Sequence, residues 1–280
     1  VFLGAAVLSF VVVARRPGAG EEQWYSQFSI LLLCSWVGIM LFASDFLLSW
    51  RSIDVLLERV AVATGLYALL GVAQYFSGDS LLGFLSYVPG LSLNQDLVSV
   101  TSRDGLNRPG STAIHAIEFG VALTALLPIC LHVLLHAHHL SPARRLFPVL
   151  AVAAAIPLCL SRAALVCGAV VLLVLLPTWS ARLRRYAVVG LSVMGVVVFV
   201  SAPGVLGTLS GLFLRAGSDP SARSRTDSYA TAFEFIAQNP LFGRGYGTFL
   251  PQYRILDNQY LLLTIEMGVV GLVAYLGVFV

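Results

Sequence analysis

The stretch LCLSRAALVCGAVVLLVLL, Leu158 to Leu176, is apolar almost throughout, yet it carries one permanent cation, Arg162. An ionised group in such a run is costly in hydrocarbon unless it reaches water or an anion, so the solvent around it decides how the whole chain is read. The 280 residues are 58% hydrophobic and only 11% charged, with a mean hydropathy of +0.86. A soluble domain carries about a quarter of charged residues. The composition therefore excludes an ordinary soluble fold and implies an all-α integral membrane protein, a polytopic helical bundle. Cys34, Cys130, Cys159 and Cys167 all lie in apolar segments without CxxC or CxxH spacing, which argues against a structural metal and against a disulfide framework.

A bilayer core of about 30 Å needs about 20 apolar residues in a helix. Eight stretches read as spans: Val1 to Ala14, Phe28 to Ala43, Val60 to Phe76, Ile114 to Leu135, Leu146 to Leu160, Ala163 to Leu176, Tyr186 to Ala202, and Tyr260 to Val280. The chain is expected to be a piece of a longer bundle of about 10 to 12 spans or more. Two arginine-rich short loops, HAHHLSPARR (136–145) and WSARLRR (179–185), fall two spans apart, so both can lie in the cytoplasm. Alternation then places two long loops, 77–113 and 203–259, outside. It also places RRPGAGEEQW (15–24) outside, where Arg15 and Arg16 oppose the rule and Glu21 and Glu22 offset them. The simplest organisation is one membrane domain over 1–280 with two extracytoplasmic loops, in the cell membrane.

Arg162 then acquires a location. Leu146 to Leu160 and Ala163 to Leu176 would be about 22 and 21 Å long, short of a full crossing. Ser161 and Arg162 form the tip between them. Two roles fit that position: snorkelling to lipid headgroups, or a site for an anionic ligand entering from the outer leaflet. Arginine suits the second because it stays charged and its planar fork grips phosphate bidentately.

The loop 203–259 supplies a second anion-seeking element in SARSRTDSYATAFEFIAQNPLFGRGYGTF (221–249). Ser224 to Asp227 reads as a helix start, and Tyr229, Phe233 and Ile236 recur at i, i+4, i+7 before Pro240. The expected helix is amphipathic, lies on the membrane with its aromatic face inward, and carries Arg223 and Arg225 beside free N–H groups. Interfacial arginines that merely meet anionic lipids would look the same. GRGYG (243–247) reads as a tight loop bearing Arg244 and is too short for a nucleotide-binding loop. The histidines of HAHH read as ordinary loop rather than a metal site.

With these residues in view, the chain resembles the superfamily of O-antigen ligases and Wzy O-antigen polymerases. The resemblance runs from about Gly71 to Leu276 and rests on GVAQYFSGD (71–79), NRPGSTAIHAIEFG (107–120), LSRAAL (160–165), RTDSYATAFEFIAQNPLFGRGYGTF (225–249) and DNQYLLLTIEMGVVGL (257–272). It implies inverting glycosyl transfer, on the extracytoplasmic side, from an undecaprenyl-diphosphate-linked glycan to an acceptor hydroxyl, without metal or other cofactor. The partners it implies are that donor, a glycan acceptor, the bilayer and other polysaccharide assembly proteins; nucleic acid is not among them. Arg162 matches the arginine of the family's Ser-Arg motif and Arg225 the arginine that begins the large-loop helix, both as diphosphate ligands.

Where ligases carry histidine before Asn-x-Tyr, this chain has Asp257, followed by Asn258 and Tyr260. The departure favours a polymerase of repeat units over a ligase that transfers a finished glycan. Asp257 is the expected base, unless it serves only as the cap of the next helix. His115 and Glu118 stand where the family has them, although Ala116 replaces a usual proline. Arg108, Arg223, Arg244, Asn258, Tyr260 and Glu266 complete the expected substrate-binding set. The competing class is a transporter or flippase for a lipid-linked saccharide. That class should show paired broken helices in two halves, and the sequence shows no such repeat.

Overall fold

A computed structural model describes residues 2–14, 20–47, 49–90, 100–214 and 220–279; for 212, 213 and 220–226 only the backbone is described. Among these residues the regular structure is helical apart from one small hairpin. It divides into a terminal unit, Val1–Leu48 with Ala216–Val280, and a central unit, Ser49–Arg215.

Helices α1, Phe2–Ala14, and α2, Gly20–Phe46, belong to the terminal unit, and the central unit begins with α3, Trp50–Ser77. Ser49 caps α3 by accepting from Ser52 N–H, and Gly78, at φ 72°, ends it in the left-handed conformation that suits glycine. The face of α3 turned inward is a stripe of small residues, Ala61, Thr64, Gly65, Ala68 and Gly71. This spacing lets other helices approach closely, as packing within a bilayer requires. The ring of Phe119 fills the space over Gly71, and Phe147 does so over Gly65. Phe119 lies on α4, Ala116–His136, and Phe147 on α5, Pro142–Leu158. Next come α6, Arg162–Leu175, capped by Ser161, then α7, Ala181–Ser201, capped by Ser180, and α8, Val205–Leu214. Ala61, Ala68, Phe119, Leu123, Cys130, Val152, Ala155 and Cys159 form the main core.

Between α3 and α4, strands β1, Thr101–Arg103, and β2, Leu106–Arg108, pair antiparallel through an Asp104–Gly105 turn. Both turn residues have positive φ, 51° and 77°, as a two-residue hairpin turn demands.

In the terminal unit α1 packs on α2 and on α10, Gln259–Leu276, while α9, Pro220–Gln238, packs on α10. Ala6, Leu33, Leu263 and Met267 form one cluster, and Ala232, Phe249 and Ile265 another.

The expected count of eight spans is corrected to five helices long and apolar enough to cross a membrane among the described residues: α2, α3, α4, α7 and α10. The other three expected spans are helices of 13, 17 and 14 residues, only about 20, 26 and 21 Å at 1.5 Å per residue. Prolines 142, 148 and 157 and Arg144 and Arg145 dilute α5 further. Hydropathy also underestimated α2 and α3, whose N-terminal parts hold Glu21 and Glu22, and Arg51, Asp54 and Glu58, because charged residues towards a helix end lower hydropathy without stopping the helix. Helix α9 starts at Pro220, not at Ser224. Its inward face is turned one residue from the expected stripe: Ser228 and Ala232 are buried and Phe235 half-buried, while Tyr229 and Phe233 are exposed. The edge of the Phe235 ring on Phe249, 5.1 Å between centroids, fixes that rotation.

Candidate active site

In the central unit, α5 runs into α6 through three residues, Cys159, Leu160 and Ser161. Leu160 is fully buried and held at φ 47°, a left-handed conformation that costs a non-glycine residue about 1 to 2 kcal/mol. Tyr75, Leu158, Val198 and Val205 pack around it. Ser161 Oγ accepts from Ala164 N–H at 3.5 Å, so Arg162 is the first residue of α6 and sits half-buried at its positive end. Two more arginines meet this turn from the hairpin. Arg108 Nε donates to the Cys159 carbonyl at 3.1 Å, and Arg103 Nη1 donates to the Leu160 carbonyl at 3.4 Å. Burial first, and Arg103 second, lowers the Arg108 guanidinium from the usual arginine range. Three cationic side chains thus belong to one turn, an arrangement suited to an anion.

The hairpin is fastened on its other side as well. Asn107 Nδ2 donates to the Tyr75 carbonyl at 2.8 Å, while Gln74 Nε2 donates to the carbonyls of Ser80 and Ser111 at 2.6 and 3.0 Å. Gln74 Oε1 accepts from Ser111 N–H at 2.7 Å. His115 occupies the N-cap position of α4 with no side-chain cap bond, and both it and Glu118 are exposed.

In the terminal unit the side chains of Arg223 and Arg225 lie outside the described residues; their backbone forms the first turns of α9. Asn258, not Asp257, caps α10: its Oδ1 accepts from the N–H groups of Tyr260 and Leu261 at 3.0 and 3.3 Å. Asp257 is exposed and, with Ser228, Tyr229, Asn258 and Tyr260, lines an open cavity of about 480 Å³.

Arg244 is buried at 8% exposure. Its Nη2 donates to Glu22 Oε1 at 2.5 Å, and its guanidinium lies 4.8 Å from the Phe235 ring centre and 4.9 Å from that of Tyr253. Tyr253 Oη donates to the same carboxylate oxygen at 2.6 Å, and this bond raises the phenol above the ordinary tyrosine value. Glu266, buried within α10, accepts from Phe249 N–H at 3.2 Å. The side chains of Arg244 and Glu266 are therefore engaged inside the unit, whereas Arg108, Arg162, Asp257 and Tyr260 are half-buried or exposed. Arg103 escaped the sequence reading, although the Asp104–Gly105 pair beside it is a hairpin signal. Glu22 and Tyr253 carried no local signal as partners of Arg244.

Residues 147–276 match the family model described as O-Antigen ligase. No curated protein and no solved structure matches the chain. The matched segment includes the Arg162 turn, helix α9, the loop bearing Arg244, Asp257 and α10, and the family's members transfer lipid-linked glycans. Residues 147–276 accordingly form an O-antigen ligase family domain, in a chain whose described residues include five helices long and apolar enough to cross a membrane.

Proposed function

We propose that the protein polymerises surface polysaccharide repeat units by transferring an undecaprenyl-diphosphate-linked glycan to an acceptor hydroxyl on the extracytoplasmic side. The observation that carries this reading is the arginine turn of the central unit, where Arg162 opens a helix capped by Ser161 and Arg103 and Arg108 hold the two carbonyls before it. The acceptor oxygen attacks the anomeric carbon, and the bond from that carbon to the diphosphate oxygen breaks with its electron pair. Negative charge grows on the leaving diphosphate, and a fixed guanidinium stabilises it without reorganising. The hydroxyl proton passes to a carboxylate, for which Asp257 beside its open cavity is the candidate. Arg225, at the start of α9, is the second candidate diphosphate ligand.

Ligase-type transfer of a finished glycan is the second reading, favoured by the family description that the segment matches. Asp257 favours the polymerase, because the resembling ligases place histidine there. Deleting the gene separates the two. A polymerase leaves single lipid-linked repeats and no long chains, whereas loss of a ligase strands full-length chains on the carrier. Unchanged surface polysaccharide rejects both. Within the polymerase, Arg162→Ala is expected to insert normally and to abolish chain growth, and Arg162→Lys to rescue poorly because a point charge lacks the fork.

A further inference from the structure

The hairpin supplies two of the three arginines of the Arg162 turn, yet the transfer chemistry gives them no step of their own. Its register pairs Thr101 with Arg108 and Arg103 with Leu106, so Arg103 and Arg108 stand on one face and Asn107 on the other. One face bonds the carbonyls of Cys159 and Leu160 and the other the carbonyl of Tyr75 at the end of α3. The chain must reverse there within three residues, and it does so with Leu160 in a conformation that only surrounding contacts maintain. The carbonyls at the end of α5 have no further helical partners, and cations are favoured at that negative end. The last residue of this turn is the capping Ser161, and the next is Arg162.

We propose that Arg103 and Arg108 are positioning residues that hold the Cys159–Ser161 turn and thereby aim Arg162 at the donor diphosphate; this rests on the reading of Arg162 given above. The hairpin is then a working part of the donor site, and its two arginines act through Arg162 rather than as independent ligands.

The experiment uses the full chain in lipid nanodiscs, with undecaprenyl diphosphate as the binding probe and amide hydrogen exchange at residues 160–165 as the structural readout. Arg108→Met keeps the apolar stem but donates nothing to Cys159. It is expected to weaken probe binding by about tenfold, the size of one charge-assisted hydrogen bond, and to speed exchange at Ala164 and Leu165. Arg108→Lys should recover most of both, and Arg103→Met should act in the same direction. On an Arg162→Ala background, Arg108→Met should change binding no further, because the two act in series. Additive losses, or wild-type binding by Arg108→Met while Arg162→Ala binds poorly, overturn the proposal and leave the donor reading standing. If Arg162→Ala binds as wild type, the donor reading falls, and exchange still decides the clamp: faster exchange in Arg108→Met upholds it and unaltered exchange overturns it.

Discussion

Asp257 and Asn258 divide two jobs that the sequence left open on one residue. The amide oxygen of Asn258 takes both cap hydrogen bonds of α10, so capping does not account for the neighbouring carboxylate. Asp257→Asn is therefore expected to leave α10 and probe binding intact while lowering chain growth by about 10² or more, the scale of a lost general base. Asn258→Ala should do the reverse, costing about 1 kcal/mol of helix stability without that chemical loss. Chain growth at the wild-type rate in Asp257→Asn would end the general-base assignment. Arg244 teaches a different lesson. Its place in a glycine-rich loop was legible, but its partner Glu22 lies 222 residues away in sequence, and no local pattern announces an ion pair of that range. Arg244→Ala would leave a carboxylate buried without its cation, and breaking such a pair costs about 3 to 5 kcal/mol. Thermal unfolding in detergent should register that loss. A double variant, Glu22→Leu with Arg244→Met, should recover part of it, because the uncompensated charge is gone. An unchanged melting curve for Arg244→Ala would mean that the pair contributes nothing.

Helix α10 is broken by design at Gly268, whose φ of 66° and ψ of −171° are non-helical. The break leaves backbone groups unmatched, and the loop before the helix takes them. Arg244 and Gly245 donate to the carbonyls of Ile265 and Glu266, while Val269 and Val270 donate to those of Pro240 and Leu241. Such an interlock needs two backbones in contact. A Cβ on Gly243 would strike the backbone of Glu266, and one on Gly268 would strike that of Leu241. Gly268→Ala should cost about 1 to 3 kcal/mol from strain alone and expose the 240–245 loop to protease. Gly195→Ala is the control, since Gly195 faces open space in α7 and the substitution should be neutral or slightly stabilising. Equal protease resistance in the two variants would show that the loop does not depend on the break. The elements themselves were largely legible, because every expected apolar segment is a helix. Their lengths were not, since hydropathy registers the apolar window and passes over the charged turns that extend α2 and α3. The kink was also hidden: GVVGL reads as ordinary helix until Gly268 is seen against Leu241. Strands of three residues are too short for alternation to reveal, so only the Asp104–Gly105 turn marked the hairpin.

At the scale of the central unit, charge is segregated along the helices. One end carries Arg144 and Arg145 at the start of α5, and His139 Nε2 lies 2.8 Å from Glu58 Oε1 in the N-terminal third of α3. The start of α7, with Arg182, Arg184 and Arg185, reaches the same end, because Ser180 and Leu183 line one cavity with His132 and His136 of α4. The far end of α5 bears Arg103, Arg108 and Arg162, and the first two are tied to carbonyls there. Short arginine-rich loops stay on the cytoplasmic side during insertion. The end with the 136–145 and 179–185 loops should therefore be cytoplasmic, and the Arg162 turn should face outward, where a lipid-linked donor and a growing chain are both accessible. This orientation can be tested in a variant with all four cysteines replaced by alanine, once it is shown to support chain growth. Asp104→Cys, at the hairpin turn, should react with a membrane-impermeant maleimide in intact cells. His138→Cys, in the 136–145 loop, should react only after permeabilisation. Labelling in the opposite order would place the arginine turn in the cytoplasm, and donor binding from the outer leaflet would have to be abandoned.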